Sequence, residues 1–250
     1  MSDPINVDQD DLCTMSVLTT ASNYQFSAVD HDALGASQYT LVTIAIDASS
    51  SVAAFKKALE DCISTIIKAC QGSPRSENIM VRVITFNSGI VEVHGFKPLA
   101  SISVDDYVDS IYPSGMTALC DATQSSVEAT QTCGLALVRD GYDVNGVVYI
   151  LTDGQDNHST ATENTVRKSI ETEAIYDLTV VLIGVNTQDP SYLDGFKNNC
   201  GITQYSDIGD ASPSNLGKLG KMVSKSISSI STSLSNGQNA SQSASSLLSF

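Results

Sequence analysis

The sequence predicts an α/β protein with a doubly wound, mostly parallel central sheet, one antiparallel edge strand and helices on both faces, a Rossmann-like arrangement. Apolar runs of strand length, such as "YTLVTIAID" and "GVVYILT", alternate along the chain with segments whose apolar residues recur every three or four positions. This alternation is typical of parallel strands joined by crossover helices. The runs are apolar without a break, which is typical of strands covered on both faces.

The first half of the predicted domain begins with the strand "YTLVTIAID" and a helix from Val52 to Cys70. The helix has one apolar face, formed by Val52, Phe55, Leu59, Ile63, Ile66 and Cys70. The strands "IMVRVITF" and "IVEVHGF" flank the turn "NSG" and form a predicted antiparallel hairpin. A short helix around "VDDYVDSI" and the loop "YPSGMT" then lead to a helix from Leu119 to about Leu137.

The second half continues the alternation of strand and helix. The strand "GVVYILT" precedes the helix "TENTVRKSIETEA", and the strand "LTVVLIGV" precedes a helix near "PSYLDGFKNN". A short strand "TQYSDI" and a last helix from Pro213 complete the domain. The chain therefore divides into an N-terminal extension (1–37), an α/β domain (38–235) and a Ser-rich C-terminal tail of low complexity (236–250).

Charge and apolar run length exclude two classes of partner. The chain carries 13 Lys and Arg against 28 Asp and Glu, a net charge of −15. Such a charge repels nucleic-acid phosphates and anionic lipid surfaces. The apolar runs are much shorter than the roughly 20 residues that a membrane-spanning helix needs. We therefore expect no nucleic acid and no membrane among the partners.

The N-terminus and the cysteines predict a cytoplasmic protein. The segment "MSDPINVDQDD" is acidic and lacks the basic and apolar regions of a secretion signal. Cys62 and Cys70 lie eight positions apart on one predicted helix, a separation of roughly 12 Å that a disulfide cannot bridge. Since no CxxC spacing is present, we expect six reduced thiols and no zinc site.

Oxygen-bearing side chains follow the ends of two predicted strands and fill a loop between them. Asp47 ends the first strand, with Ser49 and Ser51 directly after it. Thr117 lies in the loop "SGMTALCDA", and Asp153 follows "VVYILT". The carboxyl ends of parallel strands meet at one crevice, where α/β proteins bind ligands. Hydroxyl and carboxylate oxygens suit a hard divalent cation, and Mg²⁺ takes six of them at about 2.1 Å.

This combination resembles the von Willebrand factor type A (VWA) domain, whose metal-ion-dependent adhesion site (MIDAS) is written D-x-S-x-S, a distant Thr and a distant Asp. The resemblance covers residues from about Tyr39 to Ser229 and includes the order of elements. It implies a complete MIDAS in a VWA domain over 38–235. The implied metal ligands are Asp47, Ser49, Ser51, Thr117 and Asp153.

The resemblance also implies how the site works. The two serines bind the metal directly, Thr117 joins when a ligand is bound, and the carboxylates act partly through waters. The expected ion is Mg²⁺, with Mn²⁺ or Ca²⁺ as alternatives. Its open position accepts an Asp or Glu carboxylate from a protein partner. Residues expected to contact that partner are Gly115, Met116, Asp156 and Asn157.

Each motif taken alone has a simpler explanation. Asp47, the serines and Thr117 all precede helices, where such side chains often cap free N–H groups. Asp153 alone fits an Asp-Gly turn. A nucleophilic Ser50 would need a base, and His158 is the only candidate near a strand end. A phosphate-accepting Asp47 would want a carboxylate at position 49, which is Ser49. A site that has lost its metal is a further alternative.

The sequence therefore predicts a non-enzymatic, metal-dependent interaction module of the intracellular bacterial or phage type. The alternative is a structural subunit of a virion or another large assembly, in which the VWA domain is a building block. In that case homo- or hetero-oligomeric contacts would use the N-terminal extension and the C-terminal tail, and the location would be a virus particle.

Overall fold

The computed structural model describes residues 15–172 and 176–235. The strands in this part of the chain are β1 Met15–Thr19, β2 Gln25–Val29, β3 Gln38–Asp47, β4 Ile79–Phe86, β5 Ile90–Pro98, β6 Asp143–Thr152, β7 Leu178–Gly184 and β8 Gln204–Asp207. The α-helices are α1 Lys56–Gln71, α2 Leu119–Arg139, α3 Glu163–Glu171, α4 Pro190–Cys200 and α5 Pro213–Ser235.

The eight described strands form one sheet in the order β1-β2-β5-β4-β3-β6-β7-β8. Strands β4, β3, β6, β7 and β8 are mutually parallel, and β5 pairs antiparallel with β4. The predicted fold class, a mostly parallel sheet with one antiparallel edge strand and helices on both faces, is confirmed, and the hairpin of β1 and β2 extends the sheet beyond β5. The central strand β3 has β4 on one side and β6 on the other. Its carboxyl end therefore lies in the middle of the row formed by the carboxyl ends of the parallel strands.

The sheet is buried under helices on both faces. On one face, alternate β3 residues such as Val42 and Ile44 pack with apolar residues of α1 and α5. On the other face, Ala45, Val148 and Val180 pack with apolar residues of α2, α3 and α4. Because every second side chain of a strand points to the opposite face, strands covered on both sides must be apolar throughout.

The residues before β3 add a hairpin to the antiparallel side of the sheet. Strands β1 and β2 pair antiparallel, and β2 meets β5 at Ala28 and Phe96. A Cβ built on Gly95 would lie 2.0 Å from the Ser27 carbonyl oxygen, so only glycine permits this approach of β2 to β5. The turn of the hairpin is held by Glu128 of α2, whose carboxylate accepts hydrogen bonds from the Ser22 amide and hydroxyl.

Two predicted helices differ in detail from the structure. The segment expected to begin helix α1 at Val52 is a 3₁₀ turn over Ser50–Ala54, and the α-helix begins at Lys56. The expected short helix around 104–111 is a 3₁₀ turn over Val104–Tyr107. The predicted tail 236–250 and the first fourteen residues of the predicted extension lie outside the described residues.

Two further expectations concern reduced thiols and membrane-spanning helices. The five described cysteines are free and buried, and Cys13 lies outside the described residues. Among the helices described, none combines the length and the apolar character needed to cross a bilayer.

Candidate metal site

The carboxyl ends of β3 and β6 bring the serines and Asp153 into contact. These strands are parallel neighbours, so the residues that follow them emerge side by side. The Ser49 and Ser51 hydroxyl oxygens lie 2.9 Å apart, and the Ser51 hydroxyl donates to Asp153 Oδ1 at 2.9 Å. Three oxygen atoms from two loops therefore form a continuous chain.

The spacing of these oxygens fits a small octahedral cation. Two neighbouring ligands of an octahedron with metal–oxygen distances of about 2.1 Å lie about 3.0 Å apart. The 2.9 Å separations of Ser49 from Ser51 and of Ser51 from Asp153 match that edge length. The donor set, hydroxyls and carboxylates, is also the set that Mg²⁺ prefers.

Asp47 is buried beneath the serine turn, with 1% of its surface exposed. Its Oδ1 accepts a hydrogen bond from the Ser49 amide at 2.8 Å, and its Oδ2 accepts one from the Thr152 hydroxyl at 2.6 Å. Burial raises the pKa of Asp47 to about 6, although these hydrogen bonds oppose the rise. Burial also raises the pKa of Asp153. A cation bound here would favour the charged form of both carboxylates.

The loop that carries Thr117 is tied to the serine turn. The Gly115 carbonyl accepts hydrogen bonds from the Ser50 amide at 3.3 Å and the Ser50 hydroxyl at 3.0 Å. The Thr117 amide donates to Asn157 Oδ1 at 2.8 Å, and the Asn157 amide donates back to the Thr117 carbonyl at 3.0 Å. Thr117, 5% exposed, is thus held two residues from the contact with Ser50.

The loop after β6 also covers the N-terminus of α2. Asp156 Oδ2 accepts a hydrogen bond from the Cys120 amide at 2.7 Å, and the Ser159 hydroxyl accepts one from the Asp121 amide at 3.0 Å. Asp121 in turn accepts hydrogen bonds from the amides of Thr160 and Ala161. The carboxylates of Asp121 and Asp156 therefore have a structural role in joining this loop to α2.

Helix capping does not account for Ser49 or Thr117. Ser49 is the N-cap residue of its 3₁₀ turn, but its side chain makes no capping hydrogen bond. The N-cap residue of α2 is Ala118, and the first amides of α2 are bound by Asp156 and Ser159. The Ser49 hydroxyl instead pairs with the Ser51 hydroxyl.

The nucleophile alternative gains no support from the geometry. The Ser50 hydroxyl donates to the Gly115 carbonyl rather than facing a base. His158 is exposed on the loop after β6.

Sequence reasoning missed Thr152 and the bracing role of Asn157. Thr152 is the last residue of β6, and the pattern of apolar residues predicts only that it belongs to the strand. The sequence contains a signal for this role. Thr152 directly precedes Asp153, and its strand is the neighbour of the strand that ends at Asp47. The contact with Asp47 depends on the register of β3 against β6, which the pattern of apolar residues does not give.

Comparisons with known proteins give a family match and several structural neighbours. The model of the von Willebrand factor type A domain matches residues 42–200. A comparison with curated protein sequences gave no match.

Three solved structures illustrate the likeness of fold. A mutant of the PilB minor pilin from Streptococcus sanguinis has 13% identity and a TM-score of 0.59, covering 84% of this chain and 66% of that one. The open conformation of the pilus adhesin SpaC from Lactobacillus rhamnosus GG has 11% identity and a TM-score of 0.57, covering 82% and 31%. Proximal thread matrix protein 1 from the mussel byssus, with a zinc-occupied MIDAS motif, has 20% identity and a TM-score of 0.52, covering 76% and 46%. The chain spans less than two thirds of each, and at these identities the likeness is one of fold.

Proposed function

Because the chain belongs to the von Willebrand factor type A domain family, we propose that it is a divalent-metal-dependent protein-interaction module. The metal would be held by Asp47, Ser49, Ser51, Thr117 and Asp153, which together form a complete MIDAS. A partner would supply an Asp or Glu carboxylate to the remaining position. The observation that carries this proposal is the chain of 2.9 Å contacts from Ser49 through Ser51 to Asp153.

The proposed ion is Mg²⁺, with Mn²⁺ or Ca²⁺ as alternatives. Hydroxyl and carboxylate oxygens are the ligands that these hard cations prefer. Within the described ranges, no group of three or more His, Cys, Asp or Glu side chains is placed to hold a metal. A metal at the proposed site would therefore depend on the hydroxyls of Ser49, Ser51 and Thr117 as well as on the two carboxylates.

The proposed activity is binding rather than catalysis. When bound, the metal supplies an electrophilic centre with an open position. Asp47 lies under the serine turn and orients it through the Ser49 amide. Asn157 holds the backbone of Thr117 in place through hydrogen bonds to its amide and carbonyl groups. The five ligands carry only two negative charges, which equal the charge of a divalent ion. The open position of the ion can therefore accept one further carboxylate.

Partner contact is proposed for the loops around the site. Met116 is 45% exposed at the rim, and Asn157 is exposed beside it. Gly115 has a positive φ of 69°, and a Cβ there would lie 2.6 Å from the Ser88 hydroxyl, so its role is to let the loop approach the turn between β4 and β5. Asp156 would act through the shape of the loop after β6, because its carboxylate is bound to Cys120.

We also propose a reducing compartment, the cytoplasm of the cell that makes the protein, as in the intracellular bacterial and phage members of the family. The support is that the five described cysteines are buried as free thiols.

Titration calorimetry with Mg²⁺ and Mn²⁺ tests the metal site directly. Wild-type protein is expected to show saturable binding, and Ser51→Ala and Asp47→Ala are expected to abolish it. Ser101→Ala is the control, since it removes an exposed hydroxyl that lies outside the proposed site. Absence of binding in the wild type, or equal loss in Ser101→Ala and Ser51→Ala, would refute the assignment.

A structural subunit of a virion or another assembly is the second candidate, and the outer edge of β1 favours it. The strand "MSVLT" has no charged residue and exposes 40% of Met15 and 69% of Val17. Sheet edges that must stay unpaired usually carry charges, prolines or bulges. If β1 is an assembly contact, the full chain should form oligomers by light scattering, and Val17→Lys should dissociate them. A monomeric wild type would exclude this contact.

A further inference from the structure

The outer surface of α1 and α5, called here the α1/α5 face, is basic although the molecule as a whole is acidic. Helix α5 has three lysines and no acid, and α1 has three lysines, one exposed aspartate and one buried glutamate. The whole chain has 13 Lys and Arg and a net charge of −15. The two helices pack against each other, so nearly half of all the basic residues lie on one surface.

Four lysines of the α1/α5 face are exposed and take part in no ion pair within the described part of the chain. Lys218, Lys221 and Lys225 recur at helical spacing and form one stripe along α5. Lys68 is exposed on α1. The ion pairs of the described residues involve other basic side chains. An acidic segment can therefore bind here without breaking an existing ion pair.

A groove lies between the two helices on the α1/α5 face. Its volume is about 350 Å³. Its apolar lining comes from the start of α1 and the start of α5 and includes Phe55, Ala58, Leu216 and Gly217. Lys57 and Asp61, which pair with each other at 2.9 Å, also line it. A segment that fits this surface should therefore combine acids with aliphatic side chains.

The fourteen residues before β1 have this composition. The segment "MSDPINVDQDDLCT" has no Lys or Arg, and its acids and aliphatic residues are Asp3, Asp8, Asp10 and Asp11 with Ile5, Val7 and Leu12. Opposite charges attract this segment to the lysines, and aliphatic side chains gain free energy when they leave water. The tail 236–250 contains no charged residue, so it lacks the first of these two properties.

The segment is long enough to reach the groove of its own chain. Strand β1 lies four strands from β3 in the sheet, about 19 Å at the usual strand spacing. Helices α1 and α5 pack on β3. Fourteen extended residues span up to about 48 Å. Residues 1–14 can therefore cross from the start of β1 to the α1/α5 face.

We propose that residues 1–14 dock on the α1/α5 face of the same chain. The aspartates would pair with the exposed lysines, and aliphatic residues among Ile5, Val7 and Leu12 would enter the groove. Exposed ion pairs contribute little individually, so the groove would fix the position of the segment. None of these residues is a proposed metal ligand, so the docking is independent of the metal site.

Carbodiimide cross-linking of the full chain, followed by mass spectrometry, tests this docking. The reagent condenses a carboxylate with a lysine amine that lies in contact with it. In the monomer fraction, the aspartates of residues 1–14 should link to the three lysines of α5. They should not link to Lys168, which is exposed on α3 at the other face of the sheet.

A carboxylate placed in the groove should oppose the docking. A Cβ at Gly217 has nothing within 4 Å, so Gly217→Glu fits the helix and occupies the groove. The yield of the links to α5 should fall about tenfold, the effect of keeping one aliphatic side chain out of the groove. Gly195→Glu in α4 is the matched control, because its Cβ also has nothing within 4 Å, and it should leave the yield unchanged.

Three results would overturn the docking. The first is an absence of links from residues 1–14 to α5, or links to Lys168 in equal yield. The second is an equal yield in Gly217→Glu and Gly195→Glu. The third is links found only between two copies in cross-linked dimers, which would show that the segment binds another molecule.

Discussion

Thr152 is the residue that links the two carboxylates of the proposed site. Its hydroxyl donates to Asp47 Oδ2 at 2.6 Å and accepts from the Gly154 amide at 3.2 Å. It therefore orients the buried acid and fixes the start of the loop that carries Asp153. Residues that orient metal ligands through hydrogen bonds are often as necessary as the ligands themselves.

We predict that Thr152→Val weakens metal binding about 10- to 100-fold, the typical effect of removing such a partner. Valine keeps the shape of threonine but leaves Asp47 without one of its donors, which makes its charged form less favourable. Mn²⁺ titration calorimetry at neutral pH measures the change. Thr152→Ser keeps the hydroxyl and should bind nearly as the wild type does. Equal affinities of the valine and serine variants would contradict the prediction.

His94 gives the fold a pH dependence separate from the metal site. Its Nδ1 pairs with the Gly95 carbonyl at 2.9 Å and its Nε2 with the Tyr107 hydroxyl at 2.7 Å. In the neutral ring, Nδ1–H donates to the carbonyl and Nε2 accepts from tyrosine. Burial lowers the pKa of His94 from 6.5 to about 4.

We predict that His94 makes the protein lose stability as the pH falls from 6.5 towards 4. In this window the unfolded chain binds a proton that the folded chain does not, so the free energy of unfolding decreases, by at most about 3 kcal/mol. Urea unfolding at several pH values compares the wild type with His94→Gln. The wild-type curve should fall more steeply, and parallel curves would show that His94 does not contribute.

At the scale of elements, Gly134 in α2 shows that helix propensity alone does not predict how a substitution changes stability. Gly134 lies in the last third of α2, where glycine normally costs about 1 kcal/mol relative to alanine. A Cβ at this position would lie 2.3 Å from Cζ of Tyr176, whose hydroxyl donates to the Thr130 carbonyl at 2.7 Å. The lack of a side chain at Gly134 therefore leaves room for the ring of Tyr176, which lies in the segment before β7.

We predict that Gly134→Ala destabilises the protein by about 1–3 kcal/mol, because overpacking outweighs the gain in helix propensity. Gly195→Ala in α4 is the control, since nothing lies within 4 Å of the added Cβ. That variant should gain about 0.5–1 kcal/mol. Denaturant unfolding of both variants decides the sign, and stabilisation by Gly134→Ala would show that Tyr176 moves aside.

At the scale of the whole molecule, the proposed metal site should couple to global stability. Its ligands come from the loops after β3 and β6 and the loop before α2, which the folded chain alone brings together. A ligand that binds only the folded state stabilises it by mass action.

We predict that Mg²⁺ raises the melting temperature of the wild type and leaves that of Ser51→Ala unchanged. Above the dissociation constant, each tenfold increase in Mg²⁺ adds about 1.4 kcal/mol to the free energy of unfolding. Thermal unfolding with increasing Mg²⁺, against an EDTA baseline, measures this. The same rise in both proteins would place the ion elsewhere.

The sequence by itself determined the fold class, the family and the order of strands and helices from β3 to α5. Apolar periodicity and turn residues act over a few positions, so each strand and helix can be recognised from its own segment. The same is true of the candidate ligands, since Asp47, Ser49 and Ser51 form a short motif at a strand end. Their metal-binding roles remain a prediction.

Only the tertiary structure decided which side chains meet. The hydrogen bonds of Thr152 with Asp47 and of Asn157 with Thr117, and the packing of Tyr176 on Gly134, join residues about 40 to 105 positions apart. Such contacts depend on strand register and on the path of loops, which no local pattern encodes. The hairpin of β1 and β2 joins the sheet in the same way, since β2 and β5 become neighbours only when the sheet is complete.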